Sequence, residues 1–340
     1  MTHEFKTIIE KAEAALEKGK ASVLASVVDL DGSSYRRPGV RMLILETGEM
    51  VGAVSGGCVE KDILLQAESV FETGEAKLMT YDGRYRLGCE GVLYILIEKY
   101  APEEGFVATF SKSIDERDTF EVKSNYNKNE GVYPGLGSSV KLGDKWFLIS
   151  NPKKEDNQTK LLTFKQSMPP CFKIVIIGAE HDAVQLCKLA AYTGWEVSVI
   201  AGVSEAKTIN DFPGAKTLLA VMPEDLPTDG IDQETAVVLM THNFANDLRY
   251  LVALKDTKPG YIGLLGPSKR RDDLLSQFME YCTDVDIEFT DRIHGPAGIN
   301  IGSETPQEIA ISIVSEILSV VRSQEPVSLS KKVGRIHAKQ

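Results

Sequence analysis

The chain has 340 residues, of which 43% are hydrophobic and 26% charged, and its formal net charge is −11. This composition predicts a soluble globular protein with room for about two domains, and it argues against a nucleic acid, an anionic membrane surface or a membrane span. The five cysteines are scattered without a Cys-x-x-Cys pair, which argues against a zinc ribbon or an iron–sulfur centre and predicts a reducing, cytoplasmic location.

The first third of the chain predicts one helix, a series of short strands and a second helix. Apolar residues at helical spacing between Phe5 and Leu16 predict the first helix, which Gly19 ends. Five strands are predicted, at 21–28, 41–45, 50–54, 76–81 and 92–97. Three glycine-bearing loops, at 32–39, 55–58 and 88–91, adjoin the ends of these strands, which is the usual setting of a ligand cleft.

The stretch 52–60 is predicted to form a strand end, a glycine turn and a helix start, with Cys58 at the start of the helix. The free N–H groups of such a turn, together with the positive end of the helix dipole, suit an anion. The same field favours the thiolate of Cys58, which is a better metal ligand or nucleophile than the thiol. The alternative is a tight turn whose small residues only allow close packing, with Cys58 as a core residue.

The region from 101 to about 166 is more polar. Short strands are predicted at 119–122, 138–142 and 145–149, the last two as a hairpin around 143–144. We interpret them as strands or an edge of the first domain. The segment 167–170, which contains two prolines, is the strongest linker signal. The predicted domains are therefore 1–166 and 171–323, followed by a basic tail at 324–340.

The second half predicts a parallel sheet. A buried strand at 173–177, a helix at 183–192 and a strand at 195–200 make a βαβ unit. Further elements follow, with strands at 217–220, 236–240, 261–265 and 286–290, and helices at 245–254 and 268–278. Thr305, Pro306 and Glu308 form a capping box for a last helix. The predicted fold class is α/β, with an N-terminal mixed α/β domain followed by a Rossmann-like doubly wound parallel-sheet domain.

Polar residues gather at the predicted carboxyl ends of these strands, where doubly wound sheets bind ligands. Three histidines and three basic residues fall there: His181, His242, His294, Lys269, Arg270 and Arg292. One interpretation is an edge that binds a phosphate-bearing ligand, with His181 and His242 facing it. Another is that these residues are polar because loops are solvated. A metal site of three histidines is a further alternative, since spacing alone does not fix their geometry.

The turn after the first strand of this domain only partly matches a dinucleotide fingerprint. Gly178 and Ala183 fit the pattern, but Glu180 stands at the second glycine, where its carboxylate would meet the pyrophosphate. The acidic residue expected after the next strand is also missing. The sequence therefore disfavours NAD(P) binding.

Several ordered motifs together resemble the xanthine dehydrogenase accessory-factor family (XdhC/CoxI type). In the first half they are 32–42, 52–60 and 87–91, and in the second half 261–271 and 292–302, followed by Pro306-x-Glu-Ile-Ala310. The resemblance implies a two-domain protein that binds the molybdenum cofactor, molybdopterin, and passes it to an apo molybdenum hydroxylase of the xanthine dehydrogenase type. It also implies a homodimer, and leaves open whether a cysteine desulfurase-type sulfurtransferase is a further partner.

The resemblance directs attention to one set of residues as cofactor-binding. They are Arg36, Arg37, Ser55, Gly56, Gly57, Cys58, Glu60, Cys89, His181, His242, Lys269, Arg270 and His294. In this interpretation the 56–57 turn, with Arg36 or Arg37, binds the phosphate, and Cys58 is a soft ligand for molybdenum, with Cys89 a lesser candidate.

No base–nucleophile pair is evident, which favours a carrier over a catalyst. The alternative function is a Rossmann-fold enzyme, either an NAD(P)-linked oxidoreductase or a nucleotidyltransferase acting on the molybdopterin cofactor. The absence of paired cysteines and the length of the chain argue against a xanthine dehydrogenase catalytic subunit.

Overall fold

The computed structural model describes residues 1–32, 37–55, 57–83, 91–152 and 160–332, and of Cys58 only the backbone. The chain divides into two compact units, Met1–Pro170 and Cys171–Gln340. Elements are numbered in chain order below. No helix among the described residues is long and apolar enough to cross a membrane.

The first unit is built on a six-stranded sheet in which every pair is antiparallel. In spatial order its strands are β3 (Met50–Gly52), β2 (Arg41–Leu45), β1 (Ser22–Asp31), β5 (Val92–Lys99), β4 (Lys77–Asp82) and β7 (Gly131–Val132).

Two helices cover opposite faces of this sheet. Helix α1 (Thr2–Leu16) packs Phe5, Ile8 and Ile9 with Leu24 and Leu43. Helix α2 (Cys58–Thr73) packs its apolar residues against the strand residues of the other parity, such as Ala25 and Met42. Its buried residues are Val59, Ile63, Ala67 and Val70. These four share one helix face because their spacing follows the helical period. The helix begins at Cys58, so the predicted helix start is confirmed.

The polar region forms a sheet of its own, which the sequence did not predict. Its four strands, in the order β10 (Leu162–Met168), β6 (Phe120–Tyr126), β8 (Gly137–Leu142) and β9 (Lys145–Leu148), are all antiparallel. The 143–144 hairpin is confirmed, whereas helix α3 (Phe106–Asp115) was missed. The predicted linker was placed too early, because Ser167 and Met168 still pair with Glu121 and Phe120.

The second unit contains a parallel six-stranded sheet, as predicted. In spatial order its strands are β13 (Thr217–Ala220), β12 (Glu196–Ala201), β11 (Lys173–Ile177), β14 (Thr235–Leu239), β15 (Tyr261–Leu264) and β16 (Ile293–His294). The helices are α4 (His181–Tyr192), α5 (Phe244–Leu254), α6 (Ser268–Tyr281), α7 (Ile287–Asp291) and α8 (Pro306–Val321). All strand pairs are parallel, which confirms the doubly wound class.

The helices of this unit divide between the two faces of the sheet. Helices α4 and α8 pack on the face of Ile174 and Ile176, and α5, α6 and α7 on the face of Val175 and Ile177. After β11 the chain adds β12 and then β13 on one side of the sheet, and after β14 it adds β15 and then β16 on the other side. The topological switch point lies between the carboxyl ends of β11 and β14, where a crevice for a ligand is expected.

Two local predictions in this unit have opposite outcomes. The capping box of α8 is confirmed, since the Thr305 hydroxyl accepts from the Glu308 N–H and the Glu308 carboxylate from the Thr305 N–H. The predicted strand at 286–290 is wrong, because these residues mostly form α7. Asp286 caps that helix by accepting from the Glu288 N–H, a local bond that outweighs the β preference of Ile287 and Phe289.

Candidate functional site

The turn before α2 is held by Gly57, which is the N-cap of the helix. Its φ is +122°, a conformation open to glycine but strained for other residues. Cys58 is the first residue of the helix. Three members of the predicted site (Arg36, Gly56 and Cys89) and the side chain of Cys58 lie outside the described residues.

The carboxylate of Glu60 folds back onto this turn. One oxygen accepts from the Ser55 N–H, and the other accepts from the Ser55 hydroxyl at 2.9 Å and the Gly57 N–H at 2.8 Å. Burial on its own would raise the pKa of Glu60, but these hydrogen bonds outweigh burial and hold the pKa below its ordinary value. Glu60 is therefore a buried, ionised cap of its own turn.

This arrangement bears on the predicted phosphate cradle, of which Gly56 lies outside the described residues. The N–H groups of Ser55 and Gly57 already donate to a carboxylate of the chain, so a phosphate would have to displace Glu60 and would meet its charge. The same carboxylate also offsets the positive end of the helix dipole that the sequence argument assigned to the Cys58 thiolate. The turn is organised around an internal anion.

The loop that carries Arg37 is fixed at its far end by a residue that sequence reasoning missed. Arg41 is buried and donates through Nη1 to the Gly39 carbonyl at 2.8 Å and to Gln166 Oε1 at 2.7 Å. Burial lowers the pKa of Arg41 to about 10, against the opposing effect of Glu98. The available sequence signal was a charged residue in a predicted strand, two positions after Gly39, and this signal does not indicate that Arg41 is buried.

A second missed group lies at the other end of the same loop, where β1 finishes. Lys128 Nζ lies 3.2 Å from Asp29 Oδ2 and 2.9 Å from Asp31 Oδ1. The hydroxyls of Tyr94 and Tyr126 donate to Asp31 and Asp29, at 2.7 and 2.8 Å. These bonds join the base of the loop to β5, to the end of β6 and to the segment that follows β6. The sequence shows only the Asp-x-Asp pair of this group, because Tyr94, Tyr126 and Lys128 lie 63 to 97 positions further along the chain.

A cavity of about 430 Å³ lies between α2 and the edge formed by β4 and β7. Its described lining includes Leu65, Lys77, Thr80 and Glu130, and it contains none of the predicted site residues. The Glu130 carboxylate accepts from the Thr80 N–H, so a side chain pairs with the sheet edge at this point. The cavity and the cysteine turn are thus separate features of the first unit.

In the second unit, Gly178 makes the tight turn after β11. Its φ is +132°, and a Cβ there would lie 2.4 Å from the Met240 carbonyl oxygen. Ala183 is buried in the core beneath the turn, while Glu180 is exposed as the N-cap of α4 and makes no capping bond with its side chain. Two steric roles of the dinucleotide fingerprint are therefore present, and the second glycine is replaced by an exposed carboxylate.

The histidines predicted to share this edge have different surroundings. His242 follows β14 with a φ of +56°, and its Nε2 lies 3.7 Å from Asp182 Oδ2 at the start of α4. His181 is exposed beside Asp182. His294 is the last residue of the outermost strand, β16, and stacks on Tyr261, with ring centroids 4.7 Å apart. Among the described residues no group of three or more histidine, cysteine or carboxylate side chains is placed to hold a metal ion.

His294 belongs to a separate cluster around Glu316 of α8. Glu316 Oε2 accepts from the Tyr261 hydroxyl at 2.6 Å and from the Gly298 N–H at 2.7 Å, and Oε1 lies 3.7 Å from His294 Nδ1. Burial, assisted by the nearby Arg271, lowers the pKa of His294 against the opposing effect of Glu316. The cluster fixes the glycine-rich loop after β16 to α8.

Two of the three basic residues predicted at this edge, Lys269 and Arg270, differ in their surroundings. Arg270 lies over Gly266 and donates to the buried carboxylate of Asp247 at 2.7 Å, while Asp247 also accepts from the Thr241 hydroxyl at 2.6 Å. Lys269 is exposed. Asp247, which sequence reasoning missed, joins the loops after β14 and β15.

Comparisons with known proteins agree with the motifs. The family model described as "XdhC and CoxI family" matches residues 15–82, and the "XdhC Rossmann domain" model matches 174–317. A Bacillus subtilis protein, named as a probable xanthine dehydrogenase subunit, is 28% identical over 90% of this chain and 95% of its own length. The Escherichia coli molybdenum cofactor insertion chaperone PaoD is 26% identical over 96% of this chain and 91% of its own.

A solved structure shares the whole fold. A Bacillus halodurans crystal structure, named as a xanthine dehydrogenase, superposes with a TM-score of 0.75 at 24% identity, covering 96% of this chain and 98% of that one. The two family models match both units, the relatives extend over most of their length, and the predicted resemblance and fold class are confirmed. Both units of the chain therefore resemble the XdhC and CoxI family.

Proposed function

We propose that this chain binds the molybdenum cofactor as cargo and delivers it to an apo molybdenum hydroxylase of the xanthine dehydrogenase type. The observation that carries the proposal is the placement of Cys58 as the first residue of α2, directly after a glycine turn that Glu60 holds in shape. The names of the two relatives, a cofactor insertion chaperone and a xanthine dehydrogenase subunit, support it.

Cys58 is assigned to the molybdenum end of the cargo. Sulfur is a soft donor that suits a metal already bound by a dithiolene, and a residue at a helix start is fixed by the backbone on both sides. Glu60 positions this residue by locking the preceding turn. The phosphate is not assigned to the turn, because the N–H groups of Ser55 and Gly57 donate to Glu60.

The experiment is a comparison of cofactor retained after anaerobic purification. Cys58→Ala should reduce the molybdopterin released per chain by at least about tenfold, the usual cost of removing a group that supports a metal. Cys282→Ala is the control, because Cys282 is a buried cysteine at the end of α6, in the other unit. Equal retention by the two variants would contradict the role of Cys58.

The remaining expectations concern partners and location. Delivery requires a complex with the apo hydroxylase, which co-purification with that client would detect. A homodimer and a cysteine desulfurase-type partner are further proposals, and native mass spectrometry tests both. A cytoplasmic location is a further proposal, and it agrees with cysteines that are scattered along the sequence without a Cys-x-x-Cys pair.

The alternative is a Rossmann-fold enzyme, and one observation favours it. Gly178 and the buried Ala183 preserve two steric features of a nucleotide-binding turn. An NAD(P)-linked oxidoreductase predicts saturable nicotinamide binding, and a nucleotidyltransferase predicts pterin-dependent CTP turnover. We expect neither, since Glu180 occupies the position that the pyrophosphate needs. Either activity in purified protein would favour the enzyme.

A further inference from the structure

Acidic and basic residues lie at opposite ends of the carboxyl edge of the parallel sheet in the second unit. Helix α4, after β11, begins with Glu180 and Asp182, and the loop after β12 adds Glu205 on the same side. Helix α6, after β15, begins with three basic residues: Lys269, Arg270 and Arg271. Strand β14 lies between β11 and β15, so two strand spacings, or about 10 Å, separate the acidic and basic ends.

The acidic end of this edge is at the topological switch point. Here α4 turns onto one face of the sheet and α5 onto the other, which opens the crevice where ligands of doubly wound sheets bind. A phosphate is poorly suited to a crevice that begins with Glu180 and Asp182. Carboxylates instead suit the edge of a heterocycle that presents two N–H donors side by side, because both bonds form at once.

Between the two ends, His242 is held in place from both sides. The hydroxyl of Thr241 donates to Asp247, and the Asn243 side chain caps α5 by accepting from the Asn246 N–H. These bonds keep His242 in a left-handed conformation, and its half-exposed imidazole remains near Asp182. His242 therefore belongs to the same edge as Asp182.

At the basic end, Arg270 is set in position before any ligand arrives. Its Nη2 donates to Asp247 at 2.7 Å, and its guanidinium lies over the Phe244 ring, 5.5 Å from the centroid. A guanidinium has five N–H donors, so the Asp247 bond leaves others for an anion. Lys269 is exposed one residue earlier. This end suits a phosphate.

We infer that this edge binds a phosphorylated pterin in one direction, with the N–H edge of the pterin at Asp182 and the phosphate at Lys269 and Arg270. The inference rests on the proposed function for the class of ligand, and it concerns the second unit alone. A pterin that ends in a phosphomethyl group carries its donor edge and its phosphate at opposite ends of a flat molecule. Guanine nucleotides share this chemistry, so the test includes them.

The test measures equilibrium binding to the full chain with fluorescent probes, 6-hydroxymethylpterin and its phosphate ester. Asp182→Asn should weaken both probes by about tenfold, the scale of a charge-assisted hydrogen bond. Lys269→Gln should weaken only the phosphate ester. The matched controls, Asp229→Asn and Lys258→Gln, are exposed residues before β14 and β15, at the opposite edge, and should leave both affinities unchanged.

His242→Gly separates binding from folding. Glycine adopts a positive φ without strain, so this variant should melt at or above the wild-type temperature. It should still bind both probes more weakly, because it removes the imidazole that lies 3.7 Å from the Asp182 carboxylate. A wild-type chain that binds neither probe, or Asp182→Asn and Lys269→Gln variants that behave like their controls, would overturn the inference. Tighter binding of GMP than of the pterin ester would overturn the pterin assignment. Failure of the proposed function is distinct, because it appears as no molybdopterin in anaerobically purified protein.

Discussion

Two strand–glycine–helix turns, one in each unit, use a glutamate in opposite ways. At the start of α2, Glu60 is buried and accepts hydrogen bonds from Ser55 and Gly57. At the start of α4, Glu180 is exposed and makes no capping bond with its side chain. The position of the carboxylate explains the difference, since the third helical residue reaches back to the turn. A glycine turn before a helix is therefore not by itself a vacant anion site.

The largest expected difference is in the stability lost when the glycine of each turn, Gly178 or Gly57, is replaced by alanine. Gly178→Ala should destabilise the chain by about 3–5 kcal/mol, because the new Cβ would meet the Met240 carbonyl oxygen and φ is positive. Gly57→Ala should cost about 1–2 kcal/mol, because φ is positive but a Cβ there meets no described atom within 4 Å. Thermal denaturation measures both. Equal losses would show that space around Gly178 is not limiting.

Glu60→Gln should destabilise the first unit by about 1.5–3 kcal/mol at pH 7, the range for hydrogen bonds to a charged group. The pKa of Glu60 in the folded chain lies below its ordinary value of 4.5. The ionised carboxylate therefore makes its full contribution to the free energy of unfolding above pH 4.5, and this contribution is lost as the pH falls through the folded pKa. The stability gap between wild type and variant should therefore narrow below about pH 4.5. A gap that stays constant down to pH 3 would contradict the ionised cap.

Removing the carboxylate should convert the first turn into an anion site. In Glu60→Ala the N–H groups of Ser55 and Gly57 lose their acceptor, so inorganic phosphate should raise the stability of this variant by about 1.4 kcal/mol at tenfold its Kd. The wild-type chain should show no such shift from this turn. A melting series in phosphate, with chloride at matched ionic strength as the control, makes the comparison. An equal shift in both proteins would count against the internal anion.

The smallest expected effect is that of the second glutamate. Glu180→Ala should change stability by less than about 0.5 kcal/mol, because the side chain is exposed and makes no capping bond. Chemical denaturation beside Glu60→Gln measures the difference between the two turns directly. A loss comparable with that of Glu60→Gln would mean that the two carboxylates are equivalent after all.

Patterns of adjacent residues predicted the individual helices and strands well, but they did not predict which strands pair when the strands lie far apart in the sequence. The start of α2, the capping box of α8 and strand β11 each depend on a few adjacent residues, and all three are present. The separate four-stranded sheet depends on β10 pairing with β6, about 40 residues earlier, and the spacing of apolar residues carries no record of that pairing. Helix α7 was misjudged because a cap outweighed residue preference.

The candidate site divides in the same way. The sequence indicated Cys58 at a helix start and Lys269 and Arg270 at a strand end, and the fold agrees with those placements. It did not indicate that Glu60 would satisfy its own turn, that Asp247 would hold Arg270, or that His294 would join Glu316 instead of His242. Each of these depends on which side chain reaches which neighbour in three dimensions.

The central claim is that this chain carries the molybdenum cofactor. The most direct measurement is mass spectrometry of the small molecules released from wild-type protein purified anaerobically from cells that make the cofactor. The account predicts molybdopterin, or a form of it bearing a nucleotide, in an amount approaching one per chain. Protein that releases no pterin, in a sample shown to be folded by its thermal transition, would contradict it.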